Sequence, residues 1–247
     1  MSDNELRFGG VTRLYGATGL QRLLQASVCV VGIGGVGSWA AEALARSGVG
    51  RLTLVDLDDV CVSNINRQLH ALDGSIGRPK VDVMAERIRA INPACEVRAI
   101  TAFFTETTAE EILERRFDFV LDAIDQAANK SLLIARCRQK EIPIISVGGA
   151  GGRRDPTAIE VADLSQTSHD ALLRKVRQTL RDYHGFARDP KMPFGVPCVF
   201  STETAAAPAE GCAGRLTCDD DYGTASFVTG TFGLVAASCV VSKIAAG

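Results

Sequence analysis

No two of the eight cysteines, at positions 29, 61, 95, 137, 198, 212, 218 and 239, stand in a C-x-x-C pair. That absence argues against a four-cysteine zinc site, and the scatter offers no disulfide framework, so a reducing cytoplasm is the expected setting. A charge excess of either sign is missing too: 27 Lys plus Arg stand against 29 Asp plus Glu, a net of -2. Contact with a nucleic acid must therefore come from a local patch and not from the chain as a whole. The opening Met1-Ser2-Asp3-Asn4-Glu5 is polar and acidic, with no apolar segment behind it, and does not read as a secretory signal. Repeats and a composition-marked linker are also lacking. The 247 residues, 46% of them hydrophobic, are read as one globular unit able to bury a substantial core.

One long apolar stretch exists, 227–246, with Lys243 as its only ionised residue. Thr229, Gly230, Thr231, Gly233 and Ser238 dilute it, so it reads as a buried C-terminal helix, and no integral membrane association is expected.

From Ser27 onward, short β-branched runs alternate with amphipathic stretches. This is the pattern of an α/β fold: a Rossmann-like, mainly parallel sheet with helices on both faces, plus a C-terminal elaboration. Strands are predicted over 28–31, 52–55, 96–100, 119–122 and 144–147, and helices over 37–46, 80–91, 108–115, 129–140 and 170–183. Three regions follow: an N-terminal helical segment over 1–26, a nucleotide-binding core over 27–152, and a less regular section over 153–247, loop-rich between 205 and 223.

Gly32-Ile33-Gly34-Gly35-Val36-Gly37 follows the first strand and opens the first helix of the core. Backbone N–H groups and the helix dipole can face a phosphate there, where side chains would block approach. A dinucleotide-binding oxidoreductase explains this turn equally well, with Asp56 on a ribose hydroxyl in either case. What separates the two lies downstream: Asp56-Leu57-Asp58, Ser63-Asn64-Ile65-Asn66-Arg67-Gln68, Lys80, and Asp122-Ala123-Ile124-Asp125. Arg67 and Lys80 can supply cations for a triphosphate and Asp125 a carboxylate for Mg²⁺. Taken singly, the cations also read as solvated surface charges and Asp125 as a helix cap.

The run from Cys29 to Leu72, with Gly77-Arg78-Pro79-Lys80 and Leu121 to Asp125, resembles the ThiF/MoeB/HesA adenylating family, relatives of the ubiquitin-activating enzymes. The resemblance implies ATP and Mg²⁺ as cofactors, with Gly32, Gly34, Gly35 and Gly37 about the phosphates and Asp56 on the ribose beside Asp58. It also places Asn64, Arg67, Gln68 and Lys80 on the triphosphate side and the metal on Asp125. Arg13, Arg67, Lys80 and Asp125 would carry the catalysis. An N-terminal arginine, Arg13 or alternatively Arg7, would reach the ATP of a homodimer partner. The paired cysteines that hold zinc in carrier-activating members are absent, so no zinc is expected; of the cysteines, Cys218, with Cys212 behind it, is the best placed to take an acyl group, and each also reads as a spectator. Motifs outside this core, Arg7 to Gly10, Gly148 to Gly152, Val199 to Glu203 and Thr229 to Gly233, resemble the branch that dehydrates threonylcarbamoyladenosine in tRNA. That branch implies a tRNA partner, for which Arg153, Arg154, Arg174, Lys175 and Arg177 are candidate contacts. It leaves open a monovalent cation and a cysteine desulfurase as a sulfur-transfer partner. Activation of a sulfur-carrier protein, an NAD-dependent oxidoreductase and a non-catalytic scaffold stand as rival readings.

Overall fold

Ser27–Val31 (β1), Arg51–Val55 (β2), Glu96–Ile100 (β3), Phe119–Asp122 (β4) and Ile144–Val147 (β5) form where the β-branched runs stand. They pair in parallel in the order β3-β2-β1-β4-β5 in the computed structural model, which describes residues 3–189, 191–207 and 222–247. All four residues of β4 and of β5 are buried, as strands covered by helices on both faces must be. Helices Gly37–Arg46 (α2), Lys80–Ile91 (α3), Ala109–Ile112 (α4) and Ala127–Gln139 (α5) make the crossovers. The helix expected over 108–115 is only the four residues of α4, because Phe117 is already buried two positions before β4 begins.

Residues beyond 152 extend the sheet. Pro197–Ser201 (β7) pairs in parallel with β5, and Ile159–Asp163 (β6) closes the edge antiparallel to β7. Ala171–Tyr183 (α6) is capped by Asp170, whose Oδ1 accepts the Leu173 N–H at 2.9 Å, and Ser226–Ala246 (α7) ends the chain.

Two apolar layers result. Leu23, Leu44, Met84, Ile88, Phe232 and Val240 belong to the one formed by α2, α3, α7 and the Asp3–Gln25 helix (α1). Ile112, Leu133, Leu173, Val176 and Phe200 belong to the other, under α4, α5 and α6. α7 is long and apolar enough to cross a membrane, yet Val228, Phe232, Ala236, Ala237 and Val240 are buried in the core. Its approach to α2 needs glycine: a Cβ on Gly233 would lie 2.4 Å from the Val36 carbonyl oxygen. α1, broken at Gly16, clasps the end of α7 through Arg22 Nη1 to the Ala245 carbonyl, 2.8 Å, and the Tyr15 and Ser242 hydroxyls, 3.2 Å apart.

Candidate active site

The strand order turns back on itself between β1 and β4, and in an open parallel sheet that is where the carboxyl ends of the strands leave a crevice. Register brings Val31, Val55 and Asp122 level, so Gly32, Asp56 and Ala123 emerge side by side. A cavity of about 320 Å³ lies over them.

Gly32 leaves β1 at φ +90°, and a Cβ there would stand 2.7 Å from the Ala123 carbonyl oxygen. Gly32, Gly34 and Gly35 line the cavity. Gly37, expected beside them, instead packs inside the turn, where a Cβ would be 1.8 Å from the Gly32 oxygen. It shapes the phosphate turn without lining the cavity.

Asp56 is 8% exposed, and both its oxygens are engaged: Oδ2 accepts the Ile33 N–H at 2.6 Å and Oδ1 the Asp58 N–H at 2.9 Å. Burial raises its pKa, against the lowering influence of Lys80 and these two N–H groups. The carboxylate thus holds the glycine turn in place and still lines the cavity. Lys80, 3% exposed, pairs with Asp58 at 2.8 Å, and both line the cavity. The half-buried Arg67 lines it too. Its guanidinium donates to the Ser63 carbonyl at 2.8 Å, while its own carbonyl accepts from Trp39 Nε1 at 3.1 Å and Thr229 Oγ1 at 3.3 Å. Gln68 is buried in the cavity wall, its Oε1 unpartnered among the described residues.

Asp125 is exposed at the cavity, without a hydrogen bond or ion pair among the described residues. It is no helix cap: the N-cap of α5 is Gln126, whose side chain makes no capping bond. With Asp58 paired and Asp56 engaged, Asp125 is the carboxylate left for a divalent cation. One carboxylate plus substrate phosphates is a usual Mg²⁺ arrangement.

The ThiF family sequence pattern matches residues 10–245. The tRNA threonylcarbamoyladenosine dehydratase of Haemophilus influenzae is 50% identical over 97% of this chain and 94% of its own length, and that of Escherichia coli 48% identical over the same shares. A crystal structure of the E. coli tRNA N6-threonylcarbamoyladenosine dehydratase in complex with ATP matches with a TM-score of 0.92 at 48% identity, covering 99% of this chain and 96% of that one. The molybdopterin-synthase adenylyltransferase of E. coli is 34% identical over 59% of the chain and 59% of its own length.

The chain belongs to the ThiF family.

Not every residue that the ThiF resemblance nominated stands at the cavity. Asn64, expected on the triphosphate, is 1% exposed and outside the lining. Its Oδ1 accepts the Cys61 N–H at 3.0 Å and shapes the turn that presents Arg67. Arg13 is exposed on α1 and lines no part of its own chain's cavity. The expected RNA-facing arginines divide. Arg154, Arg174 and Lys175 are exposed. Arg153 is not: at 5% exposure its guanidinium is turned inward to the Gly149, Gly151 and His169 carbonyls and to Asp170 Oδ2 at 3.4 Å. Arg177 is half-buried and donates to Thr167 Oγ1, which leaves it a weak candidate for phosphate contact. Cys212 and Cys218 lie outside the described residues. Cys29, Cys95, Cys137 and Cys198 are buried and free, and burial pushes the thiols of Cys29 and Cys95 up to about 12 and about 11. Such thiols are poor nucleophiles.

Sequence reasoning passed over several residues at the site. Phe103, Phe104 and Asn129 line the cavity, Thr229 stands against Gly35 and the Arg67 carbonyl, and Asp170 and Tyr222 line the side near Gly148 to Gly151. Beneath the floor, Asp122 Oδ2 accepts Lys130 Nζ at 2.8 Å and Ser146 Oγ at 2.7 Å, while Oδ1 accepts the Ile124 N–H at 3.1 Å, all three side chains fully buried. This network fixes the loop that carries Asp125. Its sequence signal, a lysine one turn into a helix after an aspartate-tipped strand, is too generic to single out.

Proposed function

We propose that this chain uses ATP to adenylate the carboxylate of threonylcarbamoyladenosine in tRNA and then lets the same side chain close a ring. The observation that carries the adenylation half is the grouping of Arg67, Lys80 and the unpaired Asp125 around one glycine turn at the strand switch point. A nicotinamide site has no use for that set. The nature of the substrate is supported by the near full-length likeness to two bacterial tRNA threonylcarbamoyladenosine dehydratases.

A carboxylate is a poor acyl donor because its leaving group would be oxide. In the proposed reaction a carboxylate oxygen bonds to the α-phosphorus as the bond to pyrophosphate breaks. The tethered carbamoyl group then attacks the acyl carbon, loses a proton and expels AMP, which carries away the carboxylate oxygen. The nucleoside loses one water in total. Arg67 and Lys80 offset charge growing on the leaving pyrophosphate, Lys80 by exchanging its Asp58 partner for phosphate oxygens. The backbone of Gly34 and Gly35 lets the phosphates approach. Mg²⁺, held by Asp125, would screen the phosphate oxygens. Because the nucleophile is tethered to the acyl group, high effective molarity takes the place of a catalytic cysteine.

The reading includes a homodimer in which Arg13 serves the partner's site. α1 and α7 leave Leu6, Leu14, Phe227 and Leu234 exposed on their outer surfaces, apolar area of the kind a partner covers. It places the reaction in the cytoplasm, with Arg154, Arg174 and Lys175 meeting RNA phosphates and, beyond the tRNA, room for a cysteine desulfurase. Exchange of labelled pyrophosphate into ATP is the test against carrier-protein activation. Exchange that depends on the modified tRNA supports the proposal, and exchange that depends on a carrier protein refutes it.

A further inference from the structure

The charged groups just described occupy one half of the cavity. The other half opens over the carboxyl ends of β5 and β7 and is built differently. Its floor is the backbone of Gly148, Gly149, Ala150 and Gly151. Among the described residues its only charged lining side chains, Arg153 and Asp170, are paired with each other. Its rim is Tyr222 and Thr224.

Each of these parts is held in position. Asp170 Oδ2 accepts the Gly149 N–H at 2.9 Å, and a Cβ on Gly148 would be 2.3 Å from that oxygen. Gly152 donates its N–H to the Gly223 carbonyl and accepts the Ala206 N–H, both at 2.8 Å. Those two bonds fix the Tyr222 stretch and the Ala205 stretch against the glycine floor. Tyr222 lies on bare backbone: a Cβ on Gly151 would be 3.1 Å from its Cβ, and one on Gly152 would be 3.0 Å from its Cδ1. Despite this seat, Tyr222 is 47% exposed, which leaves ring surface for a ligand.

We infer that this half is the acceptor subsite, taking the modified adenine nucleoside turned out of an RNA loop, with the base against Tyr222. A planar uncharged group suits a recess that is backbone-floored and, among the described residues, lined by no unpaired charge. Proteins that read single-stranded RNA stack extruded bases on aromatic rings in this way. The carboxylate of the threonylcarbamoyl arm then passes Thr229 toward the glycine turn. Asn66 Nδ2, which donates to the Thr224 carbonyl at 2.9 Å, ties the rim of this subsite to the loop that holds Arg67. The inference rests on the proposed reaction for the identity of the ligand.

The test uses the full chain and an anticodon-loop RNA oligomer carrying threonylcarbamoyladenosine. Oligomer affinity, ATP affinity and turnover are each measured for the wild type, Tyr222→Phe and Tyr222→Ala. Loss of a stacked base costs about 1–3 kcal/mol, so Tyr222→Ala should weaken oligomer binding and raise its KM by about 5- to 150-fold. ATP affinity should stay within about twofold, the size of an ordinary surface substitution, and Tyr222→Phe should behave as the wild type. Wild-type oligomer binding by Tyr222→Ala, or an equal loss of ATP affinity, overturns the subsite. Tyrosine-dependent binding of the modified oligomer without turnover by the wild type would keep the subsite and refute the reaction.

Discussion

Asp56, Lys130 and Arg153 hold this site in shape through buried hydrogen bonds and ion pairs. Asp56, Arg67, Lys80 and Asp125, the groups the sequence offers for a nucleotide and its metal, all stand at the cavity. Lys130, fully buried on Asp122, reads in the sequence as one more charge on a helix. Arg153 reads as half of a surface Arg-Arg pair, yet four polar partners draw it inward. Burial of charge is decided by tertiary partners that no local spacing encodes. His70 is a further case: it is 1% exposed, neither ring nitrogen has a partner among the described residues, and burial, with Lys80 and Arg87 adding to it, lowers its pKa to about 4 from 6.5. Between those values the unfolded chain binds the proton and the folded chain does not, so stability falls as pH drops through that window. The loss should reach about 2 kcal/mol by pH 5. Urea midpoints at pH 7 and pH 5 should therefore differ more for the wild type than for His70→Leu, and an equal difference would show that His70 does not set the acid limit.

At the scale of elements, α7 joins fold and site. Its N-terminal turn supplies Thr229 to the Arg67 carbonyl, and Gly233 lets the same helix close on Val36, inside the glycine turn. Gly233→Ala should force α7 away from α2, at a cost of about 1–3 kcal/mol for overpacking. Because the turn moves with it, ATP should bind more weakly as well. Denaturant midpoints and ATP titration of this variant check both effects, and unchanged ATP affinity would separate α7 from the site. The five central strands were legible because each is a short β-branched run next to an amphipathic helix. β6 and β7 were not. β6 is an edge strand whose five residues are all partly or fully exposed, so it carries no apolar period. β7 is apolar but has no crossover helix directly behind it to mark it as part of a parallel sheet.

At the scale of the whole molecule, β6 and β7 complete the sheet, α7 packs in the core, and Arg153, Asp170, Tyr222 and Thr229 join the cavity wall. The proposed homodimer, with Arg13 serving the partner's site, makes a prediction that no single chain can. Arg13→Ala and Asp125→Ala should each be nearly inactive alone. Mixed and allowed to exchange subunits, they should recover about a quarter of wild-type activity, because half the dimers are mixed and each of those has one intact site. Absence of recovery, with exchange verified by mass, would place Arg13 outside the partner's site. The central claim, a carboxylate adenylated and then closed on itself, is tested most directly by the mass of the product nucleoside. After incubation with ATP, Mg²⁺ and tRNA carrying threonylcarbamoyladenosine, the account predicts that the modified nucleoside is lighter by one water and that AMP forms in equal amount. An unchanged nucleoside mass in the presence of bound ATP would contradict it.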